Sequence, residues 1–147
     1  MATEQQVREY VYRATVEHGR PPRSTEAAVA LDIAAAEVLD TFRALASRRL
    51  LALAPESGEI VMAPPFSAVP TPFEVTADDG RRYFANCVWD AYGIAAALHC
   101  DATIKASCAC CGEPMTLAIE GGQPDASPGV AHFAVPAAHW WDSIVYT

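Results

Sequence analysis

The sequence lacks a long hydrophobic run and an amino-terminal secretory signal. None of its apolar runs approaches the roughly 18 to 20 residues that cross a bilayer, although 52% of the 147 residues are hydrophobic. The first ten residues, MATEQQVREY, are polar from the third position and contain no apolar signal core. These absences exclude a membrane-spanning protein and lead us to expect a cytoplasmic chain with no membrane partner.

Basic residues are also scarce. Ten Lys and Arg stand against 18 Asp and Glu, which gives a formal net charge of −8. Residues 1–62 hold seven Arg and nine acidic residues, a net charge of −2, and residues 63–147 hold three basic and nine acidic residues, a net charge of −6. Because nucleic acid attracts basic surfaces, this balance argues against DNA as a partner.

The first 86 residues contain no cysteine, whereas the rest of the chain contains five. An odd number of cysteines cannot pair completely within one chain. In a reducing cytosol, such clustering favours metal binding or thiol chemistry over a disulfide framework. The five are Cys87, Cys100, Cys108, Cys110 and Cys111.

The first 62 residues predict a helical module. Apolar residues recur at helical spacing in residues 4–17, 24–31 and 34–49. The stretch LLALAPESGEIVMA then predicts two short strands around residues 55–58. Three helices followed by a hairpin predict a winged-helix-like module over residues 1–62.

A winged helix usually places its third helix in the major groove of DNA. Here Arg43, Arg48 and Arg49 are offset by Glu37 and Asp40. We therefore favour a scaffold or dimerisation role for the module over duplex recognition, because a fold alone does not assign a function.

Residues 63–72, APPFSAVPTP, contain four prolines and predict a stiff, extended linker. Beyond it, residues 73–147 predict a hairpin that turns at Asp79-Gly80, a helix over Cys87–Leu98, and strands over residues 102–107, 114–120 and 132–135. A loop over residues 121–129, a helical turn near residues 137–141 and a strand-like end, SIVYT, complete the prediction. The fold class is α+β, with a small mixed β-sheet and packed helices after the helical module.

Cys87 and Asp90 are the first candidate site residues. Positions i and i+3 share one face of a helix, with Cβ atoms roughly 5 to 6 Å apart, so a thiol and a carboxyl could reach one bound atom together. A cysteine in the first helical turn also feels the positive end of the helix dipole, which favours the thiolate. The alternative is a buried structural cysteine beside an aspartate that the helix amino terminus stabilises, and spacing alone favours that alternative.

The stretch CACCGEP is the second candidate. Cys108 and Cys111 have the C-x-x-C spacing of half a zinc site, and a complete site needs two further ligands. The alternatives are a reduced structural thiol at Cys108, a zinc site at Cys108 and Cys111, and an auxiliary metal-capture role for Cys110 and Cys111.

The order of these elements resembles the organomercurial (alkylmercury) lyase family. The resemblance lies in the helical front, the proline-rich linker, the stretch GRRYFANCVWDAYGIAAAL and, after a short strand, CACCGEPMTL, and it is strongest over residues 73–117. In that family a cysteine and an aspartate at this spacing belong to the active site, which implies a catalytic role for Cys87 and Asp90. A family cysteine matching Cys108 is typically structural.

The chemistry that the resemblance implies is protonolysis of a carbon–mercury bond. Mercury(II) is a soft cation that prefers thiolate sulfur, so Cys87 would capture a small organomercurial while Asp90 takes the thiol proton. Asp90 would then protonate the departing carbon. No organic cofactor is required, mercury(II) is the product ion, and small cytosolic thiols would remove it. Candidates for an apolar wall that raises the pKa of Asp90 are Trp89, Tyr92, Trp140 and Trp141.

The family also uses a second active-site cysteine, after a segment that resembles WWDSIVYT, and this sequence ends at Thr147. We therefore expect either a longer natural protein or a divergent relative that binds soft metals or organometals without efficient turnover. Two rival hypotheses are a metal-responsive winged-helix regulator and a structural zinc protein. A homodimer is among the assemblies that the sequence leaves open.

Overall fold

The computed structural model describes residues 1–126 and 129–146. It contains four α-helices, α1 (Glu4–His18), α2 (Ser24–Leu31), α3 (Ala35–Ser47) and α4 (Val88–Leu98). Eight strands accompany them: β1 (Ala52–Leu53), β2 (Ile60–Ala63), β3 (Phe66–Ser67), β4 (Phe73–Ala77), β5 (Arg82–Ala85), β6 (Ala102–Ser107), β7 (Pro114–Glu120) and β8 (Gln123–Pro124). Two 3-10 helices, Ala137–Asp142 and Ile144–Tyr146, follow.

The three amino-terminal helices surround the first hydrophobic core. Helix α1 begins at a capping box, in which the Thr3 side chain accepts from the Gln6 backbone N–H and the Gln6 side chain accepts from the Thr3 N–H. Helix α3 buries Val38, Phe42 and Leu45, which recur at helical spacing on one face. These residues pack against buried side chains of α1, α2 and the first sheet: Val7, Val11, Ala27, Ala28, Leu51, Ile60 and Ala63.

The first sheet is antiparallel, with strand order β1-β2-β3. Its third strand comes from the proline-rich segment that we predicted as a linker, because Phe66 pairs with Ala63 and Ser67 pairs with Met62. The Phe66 side chain is buried in the core of the second sheet, where its ring meets the Tyr83 ring edge-on at 5.4 Å between centroids. Part of the segment is thus integrated into the fold.

The second sheet is also antiparallel, with strand order β5-β4-β6-β7-β8. Alternation along its strands turns Val75, Ile104 and Leu117 to one face, and all three are buried. Helix α4 covers this face with Ala91, Ile94 and Ala95, which are buried as well. The second core therefore lies between α4 and the sheet and holds the amino-terminal end of α4 beside the end of β5.

Helix α1 is fastened to the second sheet at its carboxyl end. The Tyr83 hydroxyl of β5 donates a hydrogen bond of 2.8 Å to the Val16 carbonyl. Gly19 ends the helix in the left-handed conformation, at φ 81°, and a Cβ atom there would lie 2.7 Å from the Arg82 carbonyl oxygen. Tyr12 adds a hydrogen bond of 3.0 Å from its hydroxyl to the Pro64 carbonyl.

The α+β prediction is confirmed, and β6 and β7 have the predicted bounds. The second sheet is antiparallel, so the prediction of a mixed sheet is wrong: its strands are joined by hairpins and by one helix that returns the chain antiparallel to β4.

Residues 132–135 form no strand, and β8 lies inside the predicted loop. The end predicted as a strand forms a 3-10 helix up to residue 146, and Thr147 lies outside the described residues. The winged-helix assignment of residues 1–62 stays a prediction.

Among the described residues, no helix combines the length and the apolar character needed to cross a membrane.

Candidate active site

Cys87 is the N-cap residue of α4, and one residue, Asn86, separates it from the end of β5. Its backbone is extended, at φ −148° and ψ 177°, which turns the side chain toward the first turn of the helix. The backbone N–H groups of Trp89 and Asp90 interact with its sulfur. The Cys87 thiol thus lies at the positive end of the α4 dipole, as the sequence predicted.

Asp90 lies in the first turn of α4 and its carboxyl hydrogen-bonds to the Cys87 thiol. Burial raises the pKa of Asp90 to about 6, and the hydrogen bond from Cys87 opposes that shift. A carboxyl with a pKa near 6 is mostly ionised at neutral pH but can hold a proton at modest cost. The pair therefore has the geometry and the proton affinity for transferring a proton between sulfur and oxygen.

The ionisation of Cys87 differs from the sequence-based expectation. Burial raises the pKa of the Cys87 thiol, and this exceeds the lowering by the helix amides, while the Asp90 charge raises the pKa further. The expectation that the helix dipole would favour a thiolate here is wrong for the unliganded protein. The resting pair is a thiol that donates to a carboxylate, so Asp90 is the base to which Cys87 can lose its proton.

Both side chains line a cavity of about 140 Å³ whose walls are mainly apolar. Trp89, Trp140 and Trp141 lie in the wall, as predicted. Tyr92 does not line the cavity, contrary to our prediction; it packs against the core of the second sheet instead. The remaining lining residues come from three distant parts of the chain: Met62, Pro64, Asn86, Phe133 and Ile144.

The carboxyl-terminal segment closes one side of this cavity. Phe133 contacts the Trp89 ring at 6.4 Å and the Trp140 ring at 5.3 Å between centroids. The Trp140 indole N–H donates to the Val135 carbonyl at 2.8 Å. The Asn86 amide, next to Cys87, donates to the Ile144 carbonyl at 3.1 Å. These contacts place aromatic side chains in the cavity wall beside Cys87 and Asp90, which are both partly buried, and burial raises the pKa of Asp90.

Sequence analysis missed Met62, Pro64, Phe133 and Ile144 as lining residues. Met62 and Pro64 adjoin the predicted linker, and the structure brings them to the cavity because β3 folds that segment back against β2. No sequence motif indicates this, since the contact joins residues more than 20 positions apart. Trp140-Trp141 was the detectable signal for the carboxyl-terminal wall.

The cysteine cluster lies elsewhere, on the turn between β6 and β7. Cys110 and Cys111 are exposed and Cys108 is partly buried. Throughout residues 1–126 and 129–146, no group of three or more His, Cys, Asp or Glu side chains is arranged to hold one metal ion. The zinc prediction for Cys108 and Cys111 is therefore not supported, because a structural zinc ion takes four ligands.

A larger cavity, of about 580 Å³, lies on α1 near the end of α3. Its lining side chains are mostly charged or polar, and two of them, Arg48 and Glu4, form an ion pair with each other. This groove is separate from the thiol site. A charged surface of this kind does not suit an apolar substrate.

Comparison with known proteins finds a family model that matches more than half of this chain. The family model described as "MerB: Alkylmercury lyase" matches residues 66–147, which contain Cys87 and Asp90. A solved structure, the mercury-bound form of MerB2, aligns with a TM-score of 0.61 at 22% sequence identity. The alignment covers 82% of this chain and 58% of that one, so the chain spans less than two thirds of that protein. No curated protein is similar enough in sequence to count as a match.

Proposed function

The chain belongs to the alkylmercury lyase family, and on that premise we propose that it cleaves carbon–mercury bonds by thiol capture at Cys87 and protonolysis by Asp90. The observation that carries the proposal is the hydrogen-bonded thiol–carboxyl pair in an apolar cavity. The cavity of about 140 Å³ is of a size for a small alkyl or aryl group, and its aromatic walls suit such a group.

The first step is substrate capture. The Cys87 sulfur forms a bond to the mercury of R–Hg–X while its proton passes to the Asp90 carboxylate and X⁻ departs. Because burial raises the pKa of the Cys87 thiol, the free thiolate is scarce at neutral pH, and the adjacent carboxylate supplies the base that the step needs. The products of this step are a Cys87–S–Hg–R adduct and a protonated Asp90.

The second step is cleavage of the carbon–mercury bond. Cys87 is the one thiol among the described residues that line the cavity, so we assign the second sulfur ligand to a small thiol from solution. Its thiolate adds electron density to mercury, and the electron pair of the carbon–mercury bond takes the proton from Asp90. This gives the hydrocarbon R–H, the Asp90 carboxylate, and mercury(II) held between Cys87 and the small thiol. A further thiol releases the ion, and no organic cofactor takes part.

The raised pKa of Asp90 fits both steps. At pH 7 a carboxyl with a pKa of about 6 is ionised and ready to accept the thiol proton. Once protonated, the Asp90 carboxyl is a stronger acid than the thiol. It can therefore deliver its proton to the carbon that leaves mercury with the electron pair of the carbon–mercury bond. A fully exposed aspartate, with a pKa near 4, would accept the proton less readily.

Incubating the protein with phenylmercury and an excess of a small thiol, and measuring benzene by gas chromatography, tests the proposal. We expect benzene from the wild type and from Cys110→Ser, whose cysteine is exposed on the β6–β7 turn. Cys87→Ser should reduce the rate at least about 100-fold, since it removes the capturing atom. Absence of benzene with the wild type, or an unchanged rate with Cys87→Ser, would refute the proposal.

A further inference from the structure

The turn between β6 and β7 holds a second pair of thiols in a defined geometry. The Cys108 N–H donates to the Glu113 carbonyl at 2.8 Å, and the Gly112 N–H donates to the Cys108 carbonyl at 2.8 Å. Gly112 adopts φ 75°, a conformation that favours glycine. These bonds close the segment into a tight loop in which the Cys111 thiol reaches the Cys108 sulfur.

The groups nearest the Cys108 sulfur are its own neighbours in the turn. The backbone N–H groups of Cys111 and Cys110, together with the Cys111 side chain, lower the pKa of Cys108. This is the opposite of Cys87, whose pKa burial raises.

The number of ligands decides which metal ion suits this turn. A zinc site needs four ligands, and the described part of the chain arranges no third His, Cys, Asp or Glu beside this pair. Mercury(II) is a soft ion that binds two thiolates in a linear arrangement and needs no others. Two neighbouring sulfurs with no third ligand among the described residues match the coordination of mercury(II) and not that of zinc.

We propose that Cys108 and Cys111 form a two-thiolate clamp for mercury(II) on the β6–β7 turn, separate from the Cys87 site. Binding replaces two solvent ligands of the ion by the two sulfurs, and the thiol protons of Cys108 and Cys111 go to solvent. Cys110 lies between them in sequence, is exposed, and takes no part in the clamp.

The position of the clamp agrees with a role in holding the ion. Strand β5 ends at Ala85, opposite the first residue of β4, and the last residues of β6 lie opposite the same end of β4. Cys87 and Cys108 therefore follow strands that stop at the same end of the sheet, and those two strands lie two strand spacings, or roughly 10 Å, apart. If the proposed lyase activity holds, its product ion emerges near the clamp; the clamp itself does not depend on that activity.

The test uses the full chain with Cys87→Ser, which cannot carry out the proposed reaction, and inorganic mercury(II) as the probe. Fully reduced protein is titrated with mercury(II) in the presence of a millimolar monothiol competitor. Bound metal is measured after gel filtration, and reactive thiols are counted with a chromogenic disulfide. We expect one ion per chain and the loss of two reactive thiols. Adding Cys108→Ser or Cys111→Ser should weaken retention at least about 100-fold, because a chelating pair gains from effective concentration.

Cys110→Ser in the same background is the matched control and should retain mercury(II) fully. The clamp is refuted if that variant loses the ion as the other two do, since Cys110 would then be a ligand. It is also refuted if the parent retains no ion against the monothiol, or if Cys108→Ser leaves retention unchanged. Circular dichroism of each variant distinguishes loss of the site from loss of the fold. None of these outcomes bears on benzene release by the wild type, so the two proposals fail separately.

Discussion

Replacing Asp90 by Asn should change the pH dependence of stability in a direction that follows from burial. Burial raises the pKa of Asp90 from 3.8 to about 6. A shift of one pKa unit corresponds to 1.36 kcal/mol, so about 2 units give an upper limit of about 3 kcal/mol. The carboxyl is only partly buried, and solvent screening reduces the expected value to about 1 to 2 kcal/mol.

The sign follows from proton linkage. A carboxyl with a raised pKa binds its proton more tightly in the folded state than in the unfolded state, so its contribution to stability is greatest below about pH 4. That contribution is lost as the pH rises through 6, because the folded protein must then hold a buried charge. Asn does not titrate. The free energy of unfolding of the wild type, relative to Asp90→Asn, should therefore fall by about 1 to 2 kcal/mol between pH 4 and pH 7.5.

Urea unfolding, followed by far-ultraviolet circular dichroism at four pH values in a reducing buffer, measures this difference. Asp40→Asn is the matched control, because the Asp40 side chain on α3 is 76% exposed and should give a much smaller pH-dependent difference. A difference between wild type and Asp90→Asn that stays constant with pH would refute the burial argument. A difference that grows with pH would mean that the fold stabilises the carboxylate, which is the opposite of our reasoning.

Two further predictions concern the contact between α1 and the second sheet, and both are measured by urea unfolding at pH 7. Gly19→Ala should lower the free energy of unfolding by about 2 kcal/mol or more, because it combines φ 81° with a Cβ atom 2.7 Å from the Arg82 carbonyl oxygen. Gly80→Ala is the control: Gly80 has φ 84° but open space around it, so this change should lower the free energy of unfolding by only about 1 kcal/mol. Equal losses would show that the close approach is unimportant. Tyr83→Phe should cost about 1 to 2 kcal/mol, because it removes the hydrogen bond to the Val16 carbonyl at an otherwise buried ring. An unchanged midpoint would contradict that assignment.

Local patterns explain why several elements could be predicted from the sequence. Alternation of apolar and polar residues gave β6 and β7 their bounds, and Asp79-Gly80 marked the hairpin between β4 and β5. The apolar residues of segment 132–135 also suggested a strand, but this segment pairs with no strand among the described residues and is irregular. A strand forms only where another strand satisfies its backbone groups, and that partner is not visible in a short stretch of sequence.

Some features of the candidate site could likewise be predicted from the sequence, and others depend on the fold. The sequence by itself indicated that Cys87 and Asp90 lie together at the amino-terminal end of a helix, and the structure places Cys87 at the N-cap of α4 and Asp90 in its first turn. It also indicated the three tryptophans in the wall, Trp89, Trp140 and Trp141. It did not reveal that β3 brings Met62 to the cavity, nor that Tyr92 turns to the sheet instead.

What only the tertiary structure decided is the protonation of the pair. The helix amides act on Cys87 as the sequence suggested, but burial at the cavity makes both charged forms costlier. Desolvation depends on everything packed around an atom, from any distance along the chain. For that reason the sequence determined which two groups meet, and the packed fold determined which of them holds the proton.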